Sequence, residues 1–198
     1  NLSGKPLRYS IGLNLSDYTA KITKFDNPTN IINDYYVGKQ LGEIWGFVYD
    51  GYFKTDQEAS DYSVNQDLIN ARRLQAPTVD LRRLQAGDIK ILDLDHNNKI
   101  DFGAGTADNP GARKIIGNSQ PRYSFGIPLG LSWNGIDLNV LFQGILHQDY
   151  YPDLENAMFW GPYARPYVSF LPTDFEKKIW RPENTNSYFP RMIGYIAQ

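Results

Sequence analysis

The chain has 198 residues, no cysteine, two histidines and a formal net charge of −2. This length suffices for one domain with a sizeable core, and the near-neutral charge gives no electrostatic basis for binding nucleic acid. The lack of cysteine excludes a disulfide scaffold and thiolate metal sites. No run of about 18 apolar residues is present, so the sequence predicts no transmembrane helix. Transmembrane β-strands are not excluded, because apolar and polar residues alternate along them and cancel in an average of hydropathy.

The first segment predicts a β-strand. Apolar residues occupy every second position from Leu7 to Leu15, separated by polar or small residues. This alternation is typical of a strand with one apolar face. The parity changes from Tyr18 onwards, so we expect a bulge or a strand end near Ser16 and Asp17.

A further strand and a polar excursion follow. Gln40–Tyr49 carries apolar residues on one side and predicts a strand. Thr55 followed by Glu58 has the form of a capping box, which predicts the start of a short helix. Residues 55–86 are mainly polar and contain Pro77, so we expect a partly helical excursion outside the sheet.

Side-chain oxygens recur at fixed positions after the turn and short strand predicted at Gly87–Leu92. Their spacing is that of an EF-hand-like loop around a hard cation, in which position 7 supplies a backbone carbonyl. The predicted Ca²⁺ ligands are Asp93, Asp95, Asn97, the Lys99 carbonyl and Asp101. Asn98 replaces the usual glycine and Ala104 the usual bidentate carboxylate, so we expect weak binding. The alternative is an Asx-rich turn whose side chains hydrogen-bond their own backbone.

The strongest periodic signal lies at Arg122–His147. Apolar residues alternate with small or polar ones on both sides of Asn134 and Gly135, which predict a two-residue type I′ hairpin turn. Each arm matches the roughly 9–11 tilted residues that cross a bilayer. The turn is then periplasmic and the expected lipid-facing residues are Phe125, Ile127, Leu129, Leu131, Leu138, Val140 and Phe142. The alternative is a long hairpin in a soluble sandwich, and Pro128 argues against a fully hydrogen-bonded central strand.

Residues 148–191 predict a long surface loop, because prolines recur too often for regular structure. Thr173 and Glu176 offer a second capping box, for one or two helical turns. Aromatic anchors dominate protein interfaces. We therefore expect a partner or ligand to meet this loop at Phe159, Trp160, Tyr163, Tyr167 and Phe170. The alternative is that these rings pack the loop against itself.

Several short motifs in a fixed order resemble the SusC/RagA family of TonB-linked outer-membrane transporters. They comprise Gly42–Phe53, Gly87–Lys90 with the Asp93–Asp101 run, Ile116–Gly126, Phe142–Gly144, and Trp180–Asn184 with Tyr188–Arg191. The resemblance covers nearly the whole chain, although each motif alone is weak. Asn98 and Ala104 depart from the family's usual glycine and acidic residue, which puts the family's cation site in doubt here.

The resemblance implies a mainly β protein: an antiparallel transmembrane β-barrel with long extracellular loops that contain short helices. Residues 1–198 would form about six to eight strands of a barrel of 22, from its C-terminal half. The plug and final strands would be absent, and residues 55–86 and 148–191 would be extracellular. The implied function is TonB-dependent import of oligosaccharide or peptide across the Gram-negative outer membrane, with a SusD-like surface lipoprotein as lid. The TonB complex would act through the missing N-terminal part.

Two other classes of function stay open. The first is a soluble extracellular β-module, stabilised by Ca²⁺, that binds glycan through exposed aromatic residues such as Trp160 and Tyr163. The second is a glycoside hydrolase with paired carboxylates. Asp153 and Glu155 are close in sequence, but nothing in the sequence places them across a cleft. We therefore expect a protein that is not an enzyme and has no organic cofactor.

Overall fold

The computed structural model describes residues 6–69, 83–153, 156–163 and 171–192. Within these residues the protein is mainly β, with antiparallel sheets and few, short helices. No helix in this part of the chain is long and apolar enough to span a membrane. The chain forms two compact units. The first comprises Asn1–Asp26, Tyr36–Ile44 and Gly117–Tyr151, and the second Asn27–Tyr35, Trp45–Ile116 and Pro152–Gln198.

Eight strands account for most of the regular structure. They are β1 (Arg8–Ile11), β2 (Asn14–Ser16), β3 (Glu43–Phe47), β4 (Tyr49–Tyr52), β5 (Ile89–Ile91), β6 (Arg113–Asn118), β7 (Arg122–Trp133) and β8 (Ile136–His147). The helices of the described residues are α1 (Asp56–Asp61), α2 (Ala157–Trp160) and two 3₁₀ turns, Gly161–Tyr163 and Phe175–Lys178. β3 pairs with β6 and β4 with β5 in small two-stranded sheets.

β7 is the central strand of the largest sheet. β8 lies along one side of it, and β1 and β2 lie end to end along the other. Ile11 is opposite Leu129 and Asn14 is opposite Gly126, so both short strands keep one register with β7. They are therefore two parts of a single extended segment. β2 ends at Ser16, which confirms the strand end expected there.

Pro128 accounts for the interruption between β1 and β2. The Gly12 N–H donates to the Pro128 carbonyl at 2.9 Å, but proline has no N–H to return a bond to Gly12. A Cβ built on Gly12 would lie 3.0 Å from Pro128 Cγ, so glycine leaves room for the proline ring. The sequence predicted incomplete hydrogen bonding at Pro128. The strand that is interrupted is the neighbouring one, between β1 and β2.

The hairpin between β7 and β8 matches the sequence pattern. Asn134 has φ 51° and Gly135 has φ 85°, both positive as a type I′ turn requires. Leu129 pairs with Val140 and Trp133 with Ile136, in a register that holds along both 12-residue strands. The predicted two-residue turn is confirmed.

The eight described strands agree in number with the expected six to eight, but they are distributed over three sheets, so the single barrel stays a prediction. Among the described residues, the largest sheet comprises β1, β2, β7 and β8, and the first two continue each other. The predicted strand Gln40–Tyr49 is divided between β3 and β4, because the two parts pair with different partners. Alternation predicts strands but does not show which of them pair.

The two capping boxes have different outcomes. Thr55 Oγ1 accepts the Glu58 N–H at 3.1 Å and caps helix α1, as predicted. The second box is wrong in detail, because the N-cap of the 3₁₀ turn Phe175–Lys178 is Asp174 rather than Thr173. Asp174 makes no capping side-chain bond there. It instead forms an ion pair with Lys178 at 2.8 Å.

Candidate functional site

One face of the largest sheet is apolar and exposed. Because side chains alternate along each strand, the register places the apolar residues of β1, β2, β7 and β8 on the same face. They are Tyr9, Ile11, Leu15, Phe125, Ile127, Leu129, Leu131, Trp133, Ile136, Leu138, Val140, Phe142 and Leu146. Ile11 is 72% exposed, Leu138 53% and Leu146 67%. The strands thus form a continuous apolar surface that water reaches in this chain.

The opposite face is mostly small and polar. It carries Ser10, Asn14, Ser124, Gly126, Gly130, Ser132, Asp137, Asn139 and Gln143, together with the apolar Leu141 and Ile145. Gly130 lies between Ser10 and Asn139, and a Cβ there would meet Ser10 Oγ at 2.5 Å. A sheet that packs onto a soluble core usually buries its apolar face. Here the apolar face is exposed, and so is the opposite face, where Leu141 is 61% exposed.

The acidic loop folds as an Asx-rich turn. Asp93 Oδ2 accepts the Asn98 N–H at 2.8 Å, and Asn97 Oδ1 accepts the Lys99 N–H at 2.8 Å. The Asn97 side-chain amide donates to Asp95 Oδ2 at 3.0 Å. Asn98 has φ 60°, the left-handed conformation for which EF-hand loops use glycine. These hydrogen bonds are those of an Asx-rich turn, which was the alternative prediction for this loop.

The carboxylates of this loop nevertheless approach each other. Burial and the adjacent Asp93 carboxylate raise the pKa of Asp95. Burial acts to raise the pKa of Asp93, but the hydrogen bond from the Asn98 N–H and further hydrogen bonds have a larger opposite effect. The pKa of Asp93 is therefore lowered. Asp93 Oδ1 is buried and accepts no hydrogen bond. Asp101 makes other contacts. Its Oδ1 accepts the Gly103 N–H at 2.8 Å, and its Oδ2 is 3.6 Å from Lys99 Nζ.

The predicted ligands therefore do not form a complete cation shell. Among the described residues, no three His, Cys, Asp or Glu side chains form a group that could hold a metal ion. Asp93 and Asp95 offer a pair of oxygens with one acceptor atom free, and this donor chemistry suits Ca²⁺. The Asn97 amide group and the Lys99 ammonium would have to turn away for the remaining ligands to join.

The predicted aromatic loop packs largely on itself. Phe159, Trp160 and Tyr163 surround a buried cluster of Phe175, Ile179 and Phe189. The Tyr163 and Phe189 rings stack with centroids 5.3 Å apart, and the Tyr163 hydroxyl donates to the Pro190 carbonyl at 2.6 Å. Burial raises the pKa of Tyr163. These three rings are half-buried, whereas Tyr167 and Phe170 lie outside the described residues.

Other side chains of the same loop are more accessible. Met158 is 86% exposed and Tyr188 is 68% exposed. The Tyr188 ring touches the edge of the Phe159 ring, with centroids 6.2 Å apart, and the Tyr52 hydroxyl donates to the Tyr188 carbonyl at 2.9 Å. Sequence reasoning missed both residues, because it counted rings without knowing which of them the loop itself would bury.

A buried ion pair, also missed from the sequence, supports this loop. Arg191 Nε donates to Asp88 Oδ1 at 2.6 Å and Nη2 to Oδ2 at 3.1 Å, and Asp88 is 3% exposed. The Arg191 N–H also donates to the Gly87 carbonyl at 2.9 Å. A Cβ on Gly87 would lie 2.3 Å from the Trp180 ring. The signal was present in the acid Asp88 of the Gly87–Lys90 motif and the base Arg191 of the Tyr188–Arg191 motif.

No protein-family model matches the chain, and no curated protein matches it. The resemblance to the SusC/RagA family therefore stays a prediction that rests on the ordered motifs.

Proposed function

We propose that β1, β2, β7 and β8 are membrane-spanning strands of an outer-membrane β-barrel, with their apolar face against lipid. The observation that carries the proposal is the exposed apolar face, continuous across strands that share one register. Large contiguous apolar patches are rare on soluble monomers and mark contact with lipid or protein. The opposite face, mainly serine, glycine and amide residues, suits a water-filled lumen.

The dimensions of the sheet support a bilayer. β7 and β8 each have 12 residues, which span about 40 Å at about 3.3 Å per residue. Tilted by about 45°, such a strand covers about 28 Å, close to the hydrocarbon thickness of a bilayer. Trp133 stands at the turn, 55% exposed, and Tyr150 lies just beyond the other end, 78% exposed. Aromatic residues occupy these two levels in barrel girdles.

The function that fits these strands and the ordered motifs is TonB-dependent import of oligosaccharide or peptide. In this proposal the chain supplies part of the barrel and long extracellular loops, and a SusD-like lipoprotein covers them. The soluble glycan-binding module is less consistent with the sheet, because it would need a cover for the apolar face. The hydrolase rests on Asp153 and Glu155 alone, and Glu155 lies outside the described residues.

The membrane orientation can be tested with single cysteines, because the native chain has none. Leu138→Cys and Asn139→Cys differ by one position and should point to lipid and lumen respectively. In lipid nanodiscs, a spin label at position 138 should be relaxed by oxygen and one at position 139 by a water-soluble nickel chelate. Leu131→Cys and Ser132→Cys on β7 form a second matched pair. Equal accessibility within both pairs would refute the membrane assignment.

Ca²⁺ binding at the acidic loop is a separate proposal. Asp93 and Asp95 would supply the first oxygens, and Asn97, the Lys99 carbonyl and Asp101 would join them. With Ala104 in place of a bidentate carboxylate, affinity should lie near the millimolar range of extracellular modules. Calorimetric titration with CaCl₂ should show binding that Asp95→Asn abolishes and Asp137→Asn, outside the loop, leaves unchanged. Absence of Ca²⁺ heat in the native chain would remove the site.

The loop of residues 148–191 is the proposed contact for the lipoprotein lid. The rings of Phe159, Trp160 and Tyr163 pack against the buried cluster of the loop, so their removal would disturb its fold. Met158 and Tyr188 offer exposed surface instead. Met158→Asp with Tyr188→Ala should abolish co-purification of a SusD-like partner, whereas Lys177→Ala on the neighbouring 3₁₀ turn should not. Unchanged co-purification of the double variant would exclude this surface.

A further inference from the structure

A bidentate ion pair joins the two ends of residues 18–121, the long segment that connects β2 to β7 in the sequence. Asp17 is the first residue after β2 and Arg122 is the first residue of β7. Arg122 Nε donates to Asp17 Oδ1 at 2.5 Å and Nη2 to Oδ2 at 2.6 Å, across 105 positions of sequence. The side chains are 26% and 30% exposed. Paired donors on a carboxylate fix geometry as well as charge.

The residue next to this pair has an unusual backbone. Tyr123 has φ 56° inside a β-strand, a left-handed conformation that is unfavourable for bulky side chains. The pairing of β7 with β8 holds at Arg122 and again at Ser124 but is not made at Tyr123. The strand is therefore locally distorted at its second residue.

The ion pair holds this distortion in place through two further contacts. The Tyr123 N–H donates to Asp17 Oδ1 at 3.4 Å, and the Arg122 guanidinium lies 4.9 Å from the centroid of the Tyr123 ring. Asp17 thus binds the side chain of one residue and the backbone of the next. An exposed ion pair alone contributes little, but this one also accepts a hydrogen bond from a backbone N–H in a strained part of the strand.

We infer that Asp17 and Arg122 form a clasp that keeps Tyr123 in its strained conformation and fixes where residues 18–121 leave the sheet. When the clasp opens, Tyr123 relaxes to extended backbone and the first residues of β7 separate from β2. The clasp is a conformational device at the junction between the sheet and this segment. It acts in the same way whether the apolar face meets lipid or another surface.

Hydrogen exchange of the full chain tests the clasp. Asp17→Ala should speed amide exchange at residues 122–126 by about tenfold, because hydrogen bonds to charged groups stabilise by that order. Exchange at residues 129–133, in the same strand, should stay as in the native chain. Arg122→Lys keeps the charge but loses the bidentate geometry. It should give the same local effect, which keeps the test decisive if Asp17→Ala does not fold.

Two further variants separate the clasp from a simple loss of charge. Asp137→Ala removes an acid at the other end of the sheet, opposite Ser132, and should leave exchange at residues 122–126 unchanged. Tyr123→Gly added to Asp17→Ala should restore most of the protection, because glycine adopts positive φ without strain. The inference is overturned if Asp17→Ala has no local effect, if both acids behave alike, or if glycine restores nothing.

Discussion

Arg191→Ala should destabilise the second unit by about 3 kcal/mol. The variant removes both guanidinium donors from the Asp88 carboxylate, which is 3% exposed and also accepts the Gln85 N–H at 3.0 Å. Removing one partner of a buried ion pair costs about 3–5 kcal/mol, because the other charge stays desolvated. The Arg191 side chain is 16% exposed, so water can partly reach the gap, and the lower end of that range applies.

The matched control is Arg181→Ala, ten positions earlier in the same loop. Arg181 pairs with Glu176, but these side chains are 44% and 73% exposed. Exposed pairs contribute about 0–1 kcal/mol, so this variant should unfold almost as the native chain does. The measurement is urea-induced unfolding followed by tryptophan fluorescence, which the nearby Trp180 reports. Equal losses in the two variants, or a loss under about 1 kcal/mol for Arg191→Ala, would refute the argument from burial.

Three further predictions use other contacts. Gly12→Ala should lower stability by about 1–2 kcal/mol through overpacking against Pro128, and thermal unfolding should show rescue by Pro128→Ala; an equal loss in both backgrounds would exclude the clash. Leu129→Lys should cost about 2–4 kcal/mol in lipid bilayers and Ser132→Lys much less, and folding titrations giving equal costs would contradict the lipid face. A backbone N–H just before helix α1 is the main cause that lowers the pKa of Glu58. Its contribution, complete above the unfolded pKa, should disappear as pH falls through the lower, folded pKa. Glu58→Gln should flatten the pH dependence of stability in that window, and an unchanged slope would rule the contribution out.

The parts of the fold that the sequence predicted are set by neighbours in the chain. Asn134 and Gly135 fix the hairpin because both tolerate positive φ, and Thr55 caps α1 because its acceptor lies three residues from a free N–H. The change of parity near Ser16 likewise marked a strand end. Each of these depends on a few consecutive residues, so the pattern alone is sufficient.

The parts that the sequence did not predict depend on distant residues. No local pattern shows that β1 and β2 lie beside β7, because about one hundred residues separate them in the chain. Closing a longer loop costs little extra entropy, so distance along the sequence does not indicate which strands pair. The aromatic loop shows the same problem at side-chain level. Phe159 and Met158 look equally suited to a partner, but one ring is packed inside the loop and the other side chain is exposed.

Three of the motifs that suggested a transporter, Gly42–Phe53, Gly87–Lys90 and Tyr188–Arg191, are in contact in the folded chain, although they are far apart in sequence. The Phe53 N–H donates to the Asp88 carbonyl, and the Tyr52 hydroxyl donates to the Tyr188 carbonyl. Arg191 then closes on Asp88. The separate segments of the second unit thus form a single packed support for the aromatic loop, and this packing follows from the contacts themselves, whatever family the chain belongs to.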